Sequence, residues 1–147
     1  MIGWNARMDG MQAAVLSIKL KRLEEGNAAR RNNAAVYHSL LSGESKLRLP
    51  LEAKDRKHVY HLYPVRTQRR DAVIEALAKR SIACGIHYPI PVHLQEAYRE
   101  LGLVKGSFPV AERCAEEFIS LPMFPELNRD QIEAVAQELK VAISAQA

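Results

Sequence analysis

Apolar residues return at helical spacing through residues 10–41, at Met11, Ala14, Val15 and Ile18 and again at Tyr37, Leu40 and Leu41, and this periodicity constrains the fold more than any other feature. It predicts one long helix, or a kinked pair, at the start of the chain, with Ser42-Gly43 as its stop. Gly26 interrupts the pattern. Glycine costs a helix interior about 1 kcal/mol relative to alanine, which predicts a bend or loose turn over residues 25–27.

Beyond residue 43 the patterning is mixed. Residues 47–50 alternate briefly, and residues 58–67 (HVYHLYPVRT) are rich in β-branched and aromatic side chains, which predicts a strand that Pro64 confines to an edge or a bulge. A short helix is expected over 70–80 with Ile74, Leu77 and Ala78 inward, and a further strand over 81–88 (SIACGIHY). Residues 94–101 and 110–118 are expected to be helices. The last helix is announced by Asn128 as its cap, Gln131 three residues later as the capping-box partner, and a buried stripe of Ile132, Val135, Ala136 and Leu139. The order predicts an α+β fold: a long N-terminal helix, then a small, mainly antiparallel sheet packed with helices, as a single domain over residues 1–147.

A chain of 147 residues can close around one core, and no apolar run approaches the length of a membrane-spanning helix. The net charge of +4 includes a cluster at Lys19, Lys21, Arg22, Arg30 and Arg31, but Glu24 and Glu25 interrupt it and no aromatic residue interleaves. That composition favours a solvated helix face over a nucleic-acid site. Cys84 and Cys114 stand thirty residues apart without a metal-ligand or disulfide pattern, and no basic segment leads into an apolar one at the N-terminus. A reducing, cytoplasmic setting is the expectation, with no metal site and no membrane partner.

Two segments carry candidate chemistry. In IHYPIPVHLQ, residues 86–95, each proline holds its predecessor extended, so the loop is stiff and could present His87, Tyr88 and His93 to a hydroxyl-rich or anionic ligand. The competing reading is a rigid surface connection whose imidazoles serve backbone groups. Near the start, Asn5 and Arg7 lie two residues apart, so an extended backbone points both to one side, where an amide and a guanidinium could hold a phosphate or carboxylate. The alternative there is a turn residue beside a solvent-facing charge. There is no glycine-rich phosphate loop and no Gly-x-Ser-x-Gly elbow, and Glu116-Glu117 is expected at the surface.

Three stretches taken in order narrow these choices: GWNARMDGMQAAVLSIKL, then HVYHLYPVR, then IHYPIPVHLQEAY followed by FPVAERCAEEFISLPMFPELN. Together they resemble the C-terminal, small-domain portion of the DegT/DnrJ/StrS sugar aminotransferases, fold-type-I pyridoxal-phosphate enzymes that aminate nucleotide-linked keto sugars. The resemblance covers nearly the whole chain. It implies that Asn5 reaches across a dimer interface to the cofactor phosphate of the neighbouring subunit, with Arg7 close by, and that His87, Tyr88 and His93 border the substrate pocket. His61 also matches the family pattern and is expected to be structural.

The large cofactor-binding domain of that family, with its Schiff-base lysine, would precede Met1, and none of the eight lysines here matches that residue. Without it there is no covalent route through transamination, so the chain alone is expected to be inactive. The resemblance therefore implies part of an aminotransferase, contributing dimer-interface and substrate-loop residues to a homodimer or to a separate large-domain chain, with a nucleotide sugar and an amino-acid donor as substrates. The alternative is a non-catalytic dimerisation or regulatory module. The first predicts exposed apolar surface along residues 11–41, and the second predicts that this face has become polar.

Overall fold

The computed structural model describes residues 7–145. In chain order it contains α1 (Gly10–Leu20), α2 (Leu23–Leu41), β1 (Tyr63–Arg66), α3 (Arg70–Ala78), α4 (Pro109–Glu117), β2 (Phe118–Leu121) and α5 (Arg129–Ser144), with 3-10 turns at Val92–Leu94 and Glu96–Leu101 before α4.

The opening pattern is a kinked pair, but the break falls at Lys21 and Arg22 rather than at residues 25–27. Asp9 starts α1 with a reciprocal capping box: its carboxylate accepts from Met11 N at 2.7 Å while Gln12 Oε1 accepts from Asp9 N at 3.2 Å. Gly26 lies inside α2, where a Cβ would stand 3.4 Å from Pro125 Cγ. Pro125 packs beside it, and the helix continues through Gly26 despite its poor propensity.

The core is closed by α2, α3, α5 and the sheet. Tyr37 and Leu41, Tyr63 and Val65, Val73 and Leu77, Ile119, and Ile132, Leu139 and Ile143 are all buried in it. Tyr37 and Tyr63 stack with ring centroids 5.0 Å apart, and the Tyr37 hydroxyl donates to Pro122 O at 3.0 Å. α5 packs on both α2 and α3, and its cap is the predicted one: Asn128 Oδ1 accepts from Gln131 N at 2.9 Å, and Gln131 Oε1 from Asn128 N at 3.0 Å. The α3 stripe is turned relative to the expectation: Val73 and Leu77 are buried, Ile74 packs partly against the core, and Ala78 is exposed.

β1 and β2 pair antiparallel, with Tyr63 opposite Leu121 and Val65 opposite Ile119. Single bridges extend the pair on either side, Arg48 to Arg66 and Gly85 to Ser120. The expected strand over 58–67 is thus only Tyr63–Arg66, and the one over 81–88 contracts to the Gly85 bridge. Thr67 N donates to Glu117 O, so alternate residues of β1 bond β2, and the even-numbered ones face the other edge, where Arg66 exchanges two hydrogen bonds with Arg48. Pro64 lacks its N–H on that edge, where no ladder bond is lost. β2, the sequence FISL, was not expected as a strand; Ile119, Ser120 and Leu121 are consecutively buried, so it shows no alternation. Residues 94–101 form 3-10 turns instead of an α-helix, and α4 begins with Pro109 in its first turn, where its missing N–H costs nothing.

Candidate functional site

The proline-containing loop is anchored at both ends, by different means. At its start, Gly85 exchanges hydrogen bonds with Ser120 of β2, N to O at 3.0 Å and back at 2.8 Å. Two residues on, the His87 ring folds back so that Nδ1 lies 2.9 Å from Ser120 Oγ. Gly85 makes this possible: a Cβ there would stand 2.6 Å from His87 Cε1. Tyr88 packs its ring edge-on to His87 and is 72% exposed, with Ile90 and Val92 also exposed beside it. This end presents a phenol and an imidazole edge on a stiff, apolar rim.

At the other end His93 turns inward. Its Nε2 lies 3.0 Å from Glu112 Oε1, and both side chains are buried. Glu112, on α4, also accepts from Gly106 N at 2.9 and 2.8 Å and from Phe108 N at 3.1 Å, and Phe108 meets the His93 ring edge-on. These donors, the Gly106 N–H foremost, hold the Glu112 carboxyl below its ordinary value. Of the three loop residues singled out from sequence, the structure keeps His87 and Tyr88 together at the rim and commits His93 to the loop's own fastening. Glu112 itself was missed, although a glutamate three residues beyond Pro109, in the first turn of a helix, is a recognisable signal.

Asn5 lies outside the described residues. Arg7, just ahead of α1, is exposed and its guanidinium makes no hydrogen bond or ion pair among the described residues. His61 is exposed too, and its imidazole makes no hydrogen bond or ring contact among the described residues. Arg31 is more than part of a solvated face: it forks onto Glu52 (2.7 and 3.2 Å) and donates to His58 O, while Glu52 accepts from His58 N at 2.8 Å, so one pair pins residues 52–58 to α2. Glu117 is likewise half-buried against Arg66 rather than free at the surface.

No residue of α1 is buried. Met11 is 80% exposed and Ile18 65%, and on the other side of α1 Leu16 and Leu20 line a cleft with Leu23, Phe124 and Pro125. No helix among the described residues is long and apolar enough to cross a membrane.

Residues 1–140 match the DegT/DnrJ/EryC1/StrS aminotransferase family. The dTDP-3-amino-3,4,6-trideoxy-alpha-D-glucose transaminase of Streptomyces venezuelae is 46% identical over 129 residues, 88% of this chain and 34% of the relative. The crystal structure of S. venezuelae DesV in complex with a ketimine intermediate superimposes with a TM-score of 0.90 at 43% identity, over 95% of this chain and 38% of that one. NtdA of Bacillus subtilis, solved with the cofactor PMP bound, gives 0.81 at 25% identity, over 97% and 34%. PMP is the aminated form of pyridoxal phosphate, the cofactor class that the sequence resemblance implies. The chain spans between 34% and 39% of the length of the curated relatives it matches. With its α+β architecture, the chain belongs to the DegT/DnrJ/EryC1/StrS aminotransferase family and corresponds to the C-terminal portion of its members.

Proposed function

We propose that this chain is the small-domain part of a cytoplasmic pyridoxal-phosphate aminotransferase for nucleotide-linked keto sugars, working in a dimer with the cofactor lysine supplied from outside these residues. The observation that carries this reading is the bare apolar face of α1, which a finished surface would not leave in water. A non-catalytic module would have replaced Met11, Ile18 and Leu20 by polar residues, and it has not.

In this reading the exposed Arg7 guanidinium suits the cofactor phosphate, together with Asn5, since a planar fork of donors matches a phosphate's oxygens. Pyridoxal phosphate supplies the electron sink on which amino transfer depends. The eight lysines fit no cofactor linkage here: none falls within residues 85–93, and Lys140, the least exposed, is occupied with Glu44 at 3.8 Å. Tyr88 and His87 would meet the sugar hydroxyls or phosphates of the substrate at the rim, while His93 keeps that rim in position through Glu112.

The test is reconstitution. The chain is mixed with a separately expressed large domain of the S. venezuelae transaminase, and complex formation, cofactor absorbance and amino transfer to a nucleotide keto sugar are followed. Activity that neither part shows alone is expected. A chain that forms no complex, or that traps pyridoxal phosphate on its own lysines with borohydride, overturns the reading.

A further inference from the structure

A second cleft, of about 570 Å³, opens on the edge of the sheet opposite Gly85 and His87. Lys46, Arg48, Arg66, Arg69 and Arg113 line it, against the single carboxylate of Glu117. Five cations against one anion give the cleft a strongly positive lining.

The arrangement is unfavourable in the absence of an anion. Arg48 and Arg66 face each other across an antiparallel bridge, where like charges destabilise the pair. Glu117 relieves only one of them: Arg66 Nε and Nη2 both donate to its Oε2, at 2.9 and 2.7 Å. Arg113 lies one turn before Glu117 on α4, yet that carboxylate is committed to Arg66. The guanidinium groups of Arg48 and Arg113 make no hydrogen bond or ion pair among the described residues. Thr67 and Gln68, just before α3, line the same cleft.

We propose that this cleft binds a phosphorylated small molecule, with Arg48 and Arg113 clamping its phosphate oxygens and Arg66, oriented by Glu117, completing the cradle. Guanidinium forks match phosphate geometry, and the volume suits a ligand of nucleotide size. The proposal does not depend on the amination reading, because it needs neither the cofactor nor the loop at Tyr88.

Calorimetric titration of the full 147-residue chain with inorganic pyrophosphate and, separately, with uridine diphosphate tests it. Binding that weakens with added salt is expected, and Arg48→Gln or Arg113→Gln should reduce affinity by about tenfold or more, as the loss of one charge-assisted contact would. Neither side chain has a structural partner among the described residues, so the far-ultraviolet circular dichroism of both variants should match the parent. Tighter binding of uridine diphosphate than of pyrophosphate assigns a nucleoside portion to the ligand, and equal binding assigns the phosphates alone. No heat with either anion, binding unchanged in both arginine variants, or binding abolished instead by Tyr88→Ala overturns the proposal.

Discussion

His93 Nε2 and Glu112 Oε1 lie 3.0 Å apart, and this buried pair joins the end of the proline-containing loop to the first α-helix after it. Because Glu112 also receives the N–H groups of Gly106 and Phe108, one carboxylate closes residues 93–108 into a fastened unit. Glu112→Gln removes the charge that strengthens all of these bonds. Hydrogen exchange at the Gly106 and Phe108 amides should accelerate by about tenfold or more, with little change at Val65 in the core, as followed by NMR.

The same carboxylate gives the fold an acid limit. Glu112 and Glu52 both have folded-state values held below the ordinary 4.5, by the Gly106 N–H in the first case and by the Arg31 guanidinium in the second. Between the folded and unfolded values the unfolded chain binds more protons, so stability rises with pH in that window. The stabilisation is complete above about pH 4.5 and is lost as pH falls through the lower, folded values. A thermal melting series from pH 7 to pH 3 should show the fall setting in below that point, and it should be shallower in Glu112→Gln and in Glu52→Gln.

The stacked tyrosines should respond in opposite ways to the same deletion. Tyr37 spends its hydroxyl on Pro122 O, whereas the Tyr63 hydroxyl is buried with no partner among the described residues. Tyr37→Phe should cost about 1 kcal/mol, and Tyr63→Phe should be neutral or stabilising by up to about 1 kcal/mol, since it discards an unsatisfied group. Urea denaturation of the two variants side by side decides it.

Gly85→Ala should displace the His87 ring, whose Cε1 lies only 2.6 Å from where the new methyl group would be. The ring is the far end of a side chain and can swing away, so the cost should be the His87–Ser120 hydrogen bond, about 1 kcal/mol, rather than the fold. The His87 imidazole resonances should shift on substitution while the Tyr37–Tyr63 signals stay in place. Unmoved His87 resonances would show that the backbone yields instead.

The uncovered face of α1 predicts self-association of the isolated chain. Sedimentation should give a mass that grows with concentration, and the double variant Met11→Glu, Ile18→Lys should shift the chain toward monomer without lowering its melting temperature, because neither residue contributes to the core. A wild-type chain that remains monomeric at high concentration would contradict this.

Elements with strong local signals were legible in the sequence. The capping box at Asn128 and the stripe through Leu139 fixed α5, and the apolar spacing through residue 41 located both opening helices. The sheet was harder, because its strands are four residues each and β2 is buried at three consecutive positions, which removes the alternation that marks a strand. The break between α1 and α2 falls at Lys21 and Arg22, where no glycine or proline marks it, while Gly26, the one local clue, lies inside α2. In the loop, composition singled out His87, Tyr88 and His93 but could not separate the rim from the fastening. That difference is made by Ser120 and Glu112, which long-range packing delivers.

Since no residue of α1 is buried and the core is closed without it, rotation about Lys21 and Arg22 breaks no core contact. α1 is thus an arm set on a body that begins with α2. The rim at Tyr88 and the arginine cleft stand on the two edges of one small sheet, so both belong to the body from α2 onward and keep their spacing whatever the angle of α1.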